Sequence, residues 1–226
     1  MHQRYRDSSG SIVPSVTTII GNNLGWNKQV LINWAKNMAS QGIDPEAVKK
    51  EAADTGTLAH KMIEEFIIDQ CPHLSLDEGD RLKLGEFTEE QIGKAKNGLE
   101  AFVSWVNQNN PAFGDQRTQT EIGMVSDSLK YGGTIDFLVV LDGKLCLLDF
   151  KTSNGVYTDH RIQLSAYQWM VRENLGEDVP AHLLQIGKED ATFHHYFFPD
   201  LSQEFNVFLH LLELHKLRSS VDKNFL

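Results

Sequence analysis

The chain reads as a mixed α/β (α+β) domain: a central mixed β-sheet flanked by helices, with a helical part in front of it. Three observations predict this. Helical periodicity dominates residues 1–110, whereas residues 111–200 break into short apolar segments rich in β-branched residues, and a last helix closes 200–226. The stretch 131–151, YGGTIDFLVVLDGKLCLLDFK, reads as two strands joined by Asp142-Gly143. That dipeptide is a strong two-residue hairpin signal, because both turn positions need φ > 0.

In chain order, Pro14 at the head of PSVTTII predicts a short helix after an extended piece, and 21–25 reads as a turn. Residues 27–40 set Val30, Leu31, Trp34, Ala35 and Met38 on one helical stripe. Gly42 ends that helix, and Asp44-Pro45-Glu46 starts another with a cap residue and a proline in first position. Residues 55–68 form a further helix, with Leu58, Met62, Ile63, Phe66 and Ile67 on one side. There His60 and Glu64 are four apart and share a face. Residues 71–87 have no period and read as a loop or insertion. Thr88-Glu89-Glu90-Gln91 is a capping box that opens a long helix, stopped by Asn109-Asn110-Pro111.

Residues 116–125 alternate and put Glu121 in mid-strand, ahead of the hairpin. Thr158 or Asp159 caps a helix on which Gln163 and Tyr167 share a face. Segments 181–186 and 192–198 are two more strands, and Asp200 caps the final helix. Trp26, Trp34 and Trp105 read as core rather than base-stacking platforms. Trp26, behind a Gly-Asn-rich turn, is the one placed for exposure.

At 226 residues, 41% hydrophobic and 23% charged, the chain is expected to be one domain, or one domain with a sizeable insertion, with a core of its own. No run of about 18 apolar residues suggests a membrane span. The opening MHQRYRDSSG lacks the apolar segment of a secretory leader. Two cysteines, Cys71 and Cys146, are too few for a disulfide framework or for a four-cysteine zinc or iron–sulfur site. A reducing, cytoplasmic compartment is expected.

The net charge of −10 argues at first against a nucleic-acid partner. Its distribution weakens that objection. Residues 1–63 carry 7 basic and 5 acidic side chains, while 64–100 carry 4 and 10, so the acid is concentrated in mid-chain. Acids in the hairpin would also be neutralised by a bound cation.

Those acids are Asp136 and Asp149, each alone in a strand that otherwise asks for burial. A buried carboxylate is costly unless it is paired or binds a metal. In Asp149-Phe150-Lys151 the two charged side chains share one face of the strand and Phe150 takes the other. A hard divalent cation held by Asp136 and Asp149, with Lys151 alongside, removes the cost and supplies chemistry.

Five motifs in order over residues 14–170 resemble the PD-(D/E)xK nuclease superfamily, in particular its RecB-like exonuclease branch. They are Pro14-Ser15-Val16-Thr17-Thr18, Gly56-Thr57-Leu58-Ala59-His60, Gly132-Gly133-Thr134-Ile135-Asp136, Asp149-Phe150-Lys151-Thr152, and Gln163 with Tyr167. The first stretch is similar to the start of phage and mitochondrial genome-maintenance exonucleases. The resemblance implies a restriction-endonuclease-like core whose N-terminal helices cover the active-site face and thread a strand.

It also implies roles. Asp136 and Asp149 would bind Mg²⁺ or Mn²⁺ with the Phe150 carbonyl as a further oxygen, and the ion would activate a water for attack on a phosphodiester. Lys151 would orient or deprotonate that water and stabilise the charged transition state. His60 would be a ligand, biasing the site towards Mn²⁺, or a phosphate contact, with Glu64 one turn on. Glu121 corresponds to the acid that the family carries in its first strand, bound to metal directly or through water. Gln163 and Tyr167 would touch the DNA backbone or hold Lys151 and the water. His160 and Arg161 would contact phosphates. The expected function is a metal-dependent DNA exonuclease acting on single-stranded or frayed ends, in recombination, repair or replication of a bacterial or phage-infected cell. A structure-specific endonuclease and a non-cleaving DNA- or protein-binding module are the alternatives.

Overall fold

The computed structural model describes residues 4–223. A small ribbon of β1 (Tyr5–Arg6) and β2 (Ile12–Val13) precedes α1 (Val16–Asn23). Ser15 caps α1 by accepting a hydrogen bond from Thr18 N. The helix runs on through Gly21, so the turn expected over 21–25 is confined to its end. Burial of Val16, Ile19 and Ile20 outweighs the cost of about 1 kcal/mol for a helical glycine.

Helix α2 (Lys28–Ser40) lies where the periodicity puts it, but its apolar stripe is not core. None of its residues is buried, and Val30 and Leu31 are 67% and 54% exposed. The two helices expected after Gly42 are one continuous helix, α3 (Pro45–Gln70). Between Pro45 and Thr55 stand only helix-compatible residues, and Lys50 pairs with Asp54 at 2.7 Å one turn on. The segment 71–87 holds two single 3₁₀ turns, and the Thr88–Gln91 capping box opens α4 (Glu89–Asn109).

The main sheet has the order β3-β4-β5-β6-β7, with β3 (Gln119–Ser126), β4 (Tyr131–Leu141), β5 (Lys144–Lys151), β6 (Ala181–Ile186) and β7 (Phe193–Phe198). Every neighbouring pair is antiparallel except β5 and β6. Parallel neighbours need a crossover, and α5 (Thr158–Leu175) supplies it. Tyr157, not Thr158 or Asp159, occupies the cap of α5, and Asp159 sits in its first turn, where an acid suits the helix dipole. Asp200 accepts from Ser202 N and starts α6 (Ser202–Lys223), which outruns the expected stop near 218. Positions 224–226 of the expected final segment lie outside the described residues.

Helices α1, α5 and α6 cover one face of the sheet, where Val16, Ile19, Leu147, Met170 and Phe208 pack together. Helices α3 and α4 cover the other, with Ile63, Phe102, Trp105, Val139 and Leu148. Truncating a buried Phe102 or Trp105 to alanine would cost about 3–5 kcal/mol. Trp105 is core as expected, whereas Trp26 is 61% exposed. Among the described residues no helix is long and apolar enough to cross a membrane.

Candidate active site

The β4–β5 turn sets the site. Asp142 (φ 49°) and Gly143 (φ 78°) are both left-handed, as a two-residue hairpin requires. The turn fixes a register in which Leu141 pairs with Lys144 and Phe137 with Leu148. One step further, Asp136 falls across from Asp149. The β3–β4 register pairs Thr120 with Phe137 and Ile122 with Ile135, so Glu121 falls across from Asp136 on the other side. Three carboxylates therefore form one row across three strands.

The sheet is distorted along that row. Asp136 pairs in neither ladder, and Glu121 has a φ of 51°, a left-handed conformation that a residue with a Cβ adopts at a cost. Ile135 packs into the core under α5, while Phe137 packs into the core under α4. A regular pleat would put them on one face. Strand β4 thus changes face at Asp136 and turns that carboxylate into the cleft. Two hydrogen bonds replace the missing ladder: Phe150 N donates to Asp136 Oδ2 (2.8 Å), and Thr120 Oγ1 donates to the Asp136 carbonyl (2.8 Å).

Helix α3 brings His60 over the row. It comes so close to the end of β5 that a Cβ at Gly56 would meet Thr152 Oγ1 at 2.8 Å, so glycine is needed there. His60 Nδ1 lies 3.9 Å from Asp136 Oδ2, and its ring packs edge-on against Phe150. His60, Glu121 and Asp136 each offer a ligand atom within 4.8 Å of the others. The cleft above them has a volume of about 430 Å³ and is lined also by Lys61, Glu64 and Thr152.

Behind the row, a hydrogen-bonded chain holds the lysine. Lys151 Nζ is 2.6 Å from Asp149 Oδ2 and donates to Gln163 Oε1 at 3.0 Å; Gln163 Nε2 in turn donates to Tyr167 OH at 2.8 Å. Tyr167 fits here because the facing residue is Gly133, whose Cβ would meet its ring at 2.6 Å. Asp149 is fully buried, and its Oδ1 has no hydrogen-bond partner among the described residues.

The electrostatics follow from crowding of like charge in a poorly solvated place. Burial raises the pKa of Asp136, opposed by Lys151 and the Phe150 N–H. Burial likewise pushes Asp149 up to about 6, with Lys151 pulling down and Asp136 pushing up. Glu121 is exposed along one side, yet the protein packed around its carboxylate first, then the Asp136 and Glu64 carboxylates, push it up to about 8. Burial also pulls Lys151 down, but Asp149 and Asp136 together outweigh that and keep it firmly protonated. His60 is held down at about 4 by burial and then by the Lys151 ammonium. Its contact with Asp136 is therefore that of a neutral imidazole with a lone pair to offer, not an ion pair.

A family model for the PD-(D/E)XK nuclease superfamily matches residues 36–219. The chain belongs to that superfamily. The match continues past Tyr167 into α6 as far as residue 219, so most of the C-terminal part that the motifs left unassigned belongs to the family's pattern too. Two solved structures are similar in outline. One is a "Putative exonuclease" from Eubacterium rectale (15% identity, 73% of this chain and 65% of that one, TM-score 0.46). The other is SSO0001 (19% identity, 57% and 66%, TM-score 0.34). The chain spans about two thirds of the length of each. No curated protein sequence matches the chain.

PD-(D/E)XK nucleases use divalent metal ions. The donor set suits one: two carboxylates and a neutral imidazole converge, and a buried carboxylate oxygen of Asp149 lacks a partner. His60, Glu121 and Asp136 are brought together, with Asp149 next in the row. Gln163 and Tyr167 reach Lys151, while Glu64 lines the cleft and pairs with Lys61 at 2.8 Å.

Arg161 is a correction. It ion-pairs with Glu204 of α6 and lies over the Phe198 ring, so its guanidinium is engaged within the protein and does not line the cleft. His160 accepts from Tyr157 N at the start of α5. Lys188 was not foreseen. Its charge acts on His60, and its Nζ lies 3.4 Å from the Ala52 carbonyl of α3. It arrives from the loop after β6, and nothing local in the sequence marks that loop as neighbouring α3.

Proposed function

We propose that the chain is a divalent-metal-dependent deoxyribonuclease that removes nucleotides from DNA ends, single-stranded or frayed, in recombination, repair or replication. The observation that carries this reading is the row Glu121–Asp136–Asp149, roofed by His60 and backed by a lysine held in place by Gln163. A structural ion pair would need one acid for one base, and this row has three acids to one lysine.

In this reading His60, Glu121, Asp136 and Asp149, with the Phe150 carbonyl, hold Mg²⁺ or Mn²⁺. The cation supplies charge neutralisation of the phosphate and lowers the pKa of a water. Lys151, protonated and aimed by Gln163, places its ammonium against charge that develops on the phosphate in the transition state. Asp149 orients the lysine from the other side. Burial of the pair excludes bulk water and strengthens both interactions. Tyr167 fixes the Gln163 amide so that its oxygen faces Lys151. Setting the chain in the cytoplasm of a bacterial or phage-infected cell rests on the motif resemblance.

Digestion of end-labelled linear DNA beside closed circular DNA, with Mg²⁺ or Mn²⁺, tests this. Loss of the linear substrate alone supports the exonuclease. Cutting of circles would replace it with an endonuclease, and binding without cutting would leave a nuclease-like binding module.

A further inference from the structure

Beside the active site lies a second hollow that neither the metal row nor the lysine uses. It has a volume of about 720 Å³ and is lined chiefly by Leu24, Trp26, Val30, Leu31, Trp34 and Tyr157. Leu24 leans on the core, but four of the others are not part of core packing: Trp26, Val30, Leu31 and Tyr157 are 61%, 67%, 54% and 53% exposed, and α2 buries nothing. An exposed apolar surface of this kind marks an interaction site.

We propose that this groove takes the bases of a single nucleic-acid strand whose backbone continues into the metal cleft. The proposal rests on the nuclease reading and names the form of its substrate. Three observations choose this occupant over a second protein. First, the groove is continuous with the cleft. Ala52 lines both, and α3 passes from Val48 and Lys49 in the groove to Gly56 and His60 in the cleft. From Ala52 to His60 is eight residues, about 12 Å along the helix. Second, α5 carries Tyr157 at its start and, further along, the Gln163 that holds Lys151.

Third, the charge fits. In a chain of net charge −10, residues 8–43 contain Lys28 and Lys36 and no Asp or Glu. The groove lining itself has one base, Lys49, against one acid, Asp159. A lining whose single acid is matched by a base tolerates phosphates, and flat aromatic side chains offer surfaces for bases to stack on. A duplex keeps its base faces stacked inside, so only a single strand can use such a wall.

The test uses the full chain in EDTA, which prevents cleavage. Binding of a short oligothymidylate is compared with that of an abasic oligomer of equal length and charge, by fluorescence anisotropy and by quenching of tryptophan emission. The parent should bind the oligothymidylate about ten-fold or more tightly than the abasic chain. Trp26→Ala should close most of that gap, Tyr157→Ala part of it, and Trp26→Phe should restore it. Circular-dichroism melting should be unchanged in all three, since both side chains are half exposed or more. Equal binding of the two oligomers by the parent would overturn the proposal, as would a gap that survives Trp26→Ala. So would a Trp26→Ala chain that changes only in sedimentation mass, which would make the groove a self-association face. Adding Mn²⁺ separates the two readings. A gap that closes in Trp26→Ala, in a parent that never cuts, keeps the groove and removes the nuclease. Cutting without a gap does the reverse.

Discussion

Glu121 stands across from Asp136 in the β3–β4 register, yet the two strands do not pair there and Glu121 takes a left-handed φ of 51°. The ladder is given up at the position where two carboxylates meet. Like charges directly opposite each other destabilise a sheet, and a strained backbone adds to that cost. A cation held between the two would remove the repulsion.

Metal should therefore stabilise the fold. Mn²⁺ at about a hundred-fold excess over its Kd should add about 2.7 kcal/mol by linkage, roughly 5–10 °C in Tm for a chain of this size. Asp136→Asn should lose most of the shift and His60→Ala part of it. Differential scanning fluorimetry with and without EDTA reads this, and a parent Tm indifferent to saturating Mn²⁺ would contradict the ligand set.

Helix α3 can deliver His60 only because residue 56 has no side chain. Gly56→Ala places a Cβ 2.8 Å from Thr152 Oγ1 and should cost about 1–3 kcal/mol as helix and strand separate. It should also weaken Mn²⁺ binding as His60 moves off. Thr152→Ala removes the obstructing oxygen, so the double variant should recover both losses; a double-mutant cycle with no coupling would contradict this packing.

In the proposed reading Gln163 acts through Lys151, as a positioning residue. Gln163→Leu removes the 3.0 Å hydrogen bond that aims Lys151. The kcat for cleavage should fall about ten-fold or more while KM barely changes, because the lost interaction serves the transition state. Gln163→Glu, which keeps an acceptor for the ammonium, should retain more activity. A rise in KM alone would instead put Gln163 on the substrate.

A second, partly buried polar chain makes stability depend on pH. Trp105 Nε1 donates to His195 Nδ1 (3.2 Å), leaving His195 Nε2 to donate to His182 Nδ1 (3.0 Å). Burial first, and the neighbouring His195 second, hold His182 at about 4, against an ordinary 6.5. Between those values the unfolded chain binds a proton that the folded chain refuses. This stabilising contribution is whole above 6.5 and is lost as pH falls towards 4. His60 acts in the same direction and Asp149, with its raised pKa, in the opposite one. The clean readout is therefore a difference: urea midpoints of His182→Gln should fall less than the parent's between about pH 7 and about pH 5. Parallel pH profiles would contradict the assignment.

Much of the fold was legible because its signals are local. Asp142-Gly143 fixed the hairpin and Thr88–Gln91 the start of α4, each within four residues. Asp136, Asp149 and Lys151 stood out as charges in strands that otherwise ask for burial. The continuity of α3 was hidden, since Asp44-Pro45 reads as a start whether or not the helix stops before Thr55. The apolar stripe of α2 misled for a different reason: periodicity shows which side chains share a face, not what covers it. Arg161 was given a role it does not take, and Lys188 was missed, because Glu204 and α3 meet them only through tertiary packing, 43 and 136 positions away in the chain.

Cleavage by Asp149→Asn beside the parent tests the central claim most directly. The substitution keeps the volume and removes the charge at the inner end of the row. In Mn²⁺ with an end-labelled linear strand, the parent should cut and the variant should be slower by about a hundred-fold or more, at an EDTA-state Tm no lower than the parent's. Cutting by Asp149→Asn at the parental rate would contradict the account.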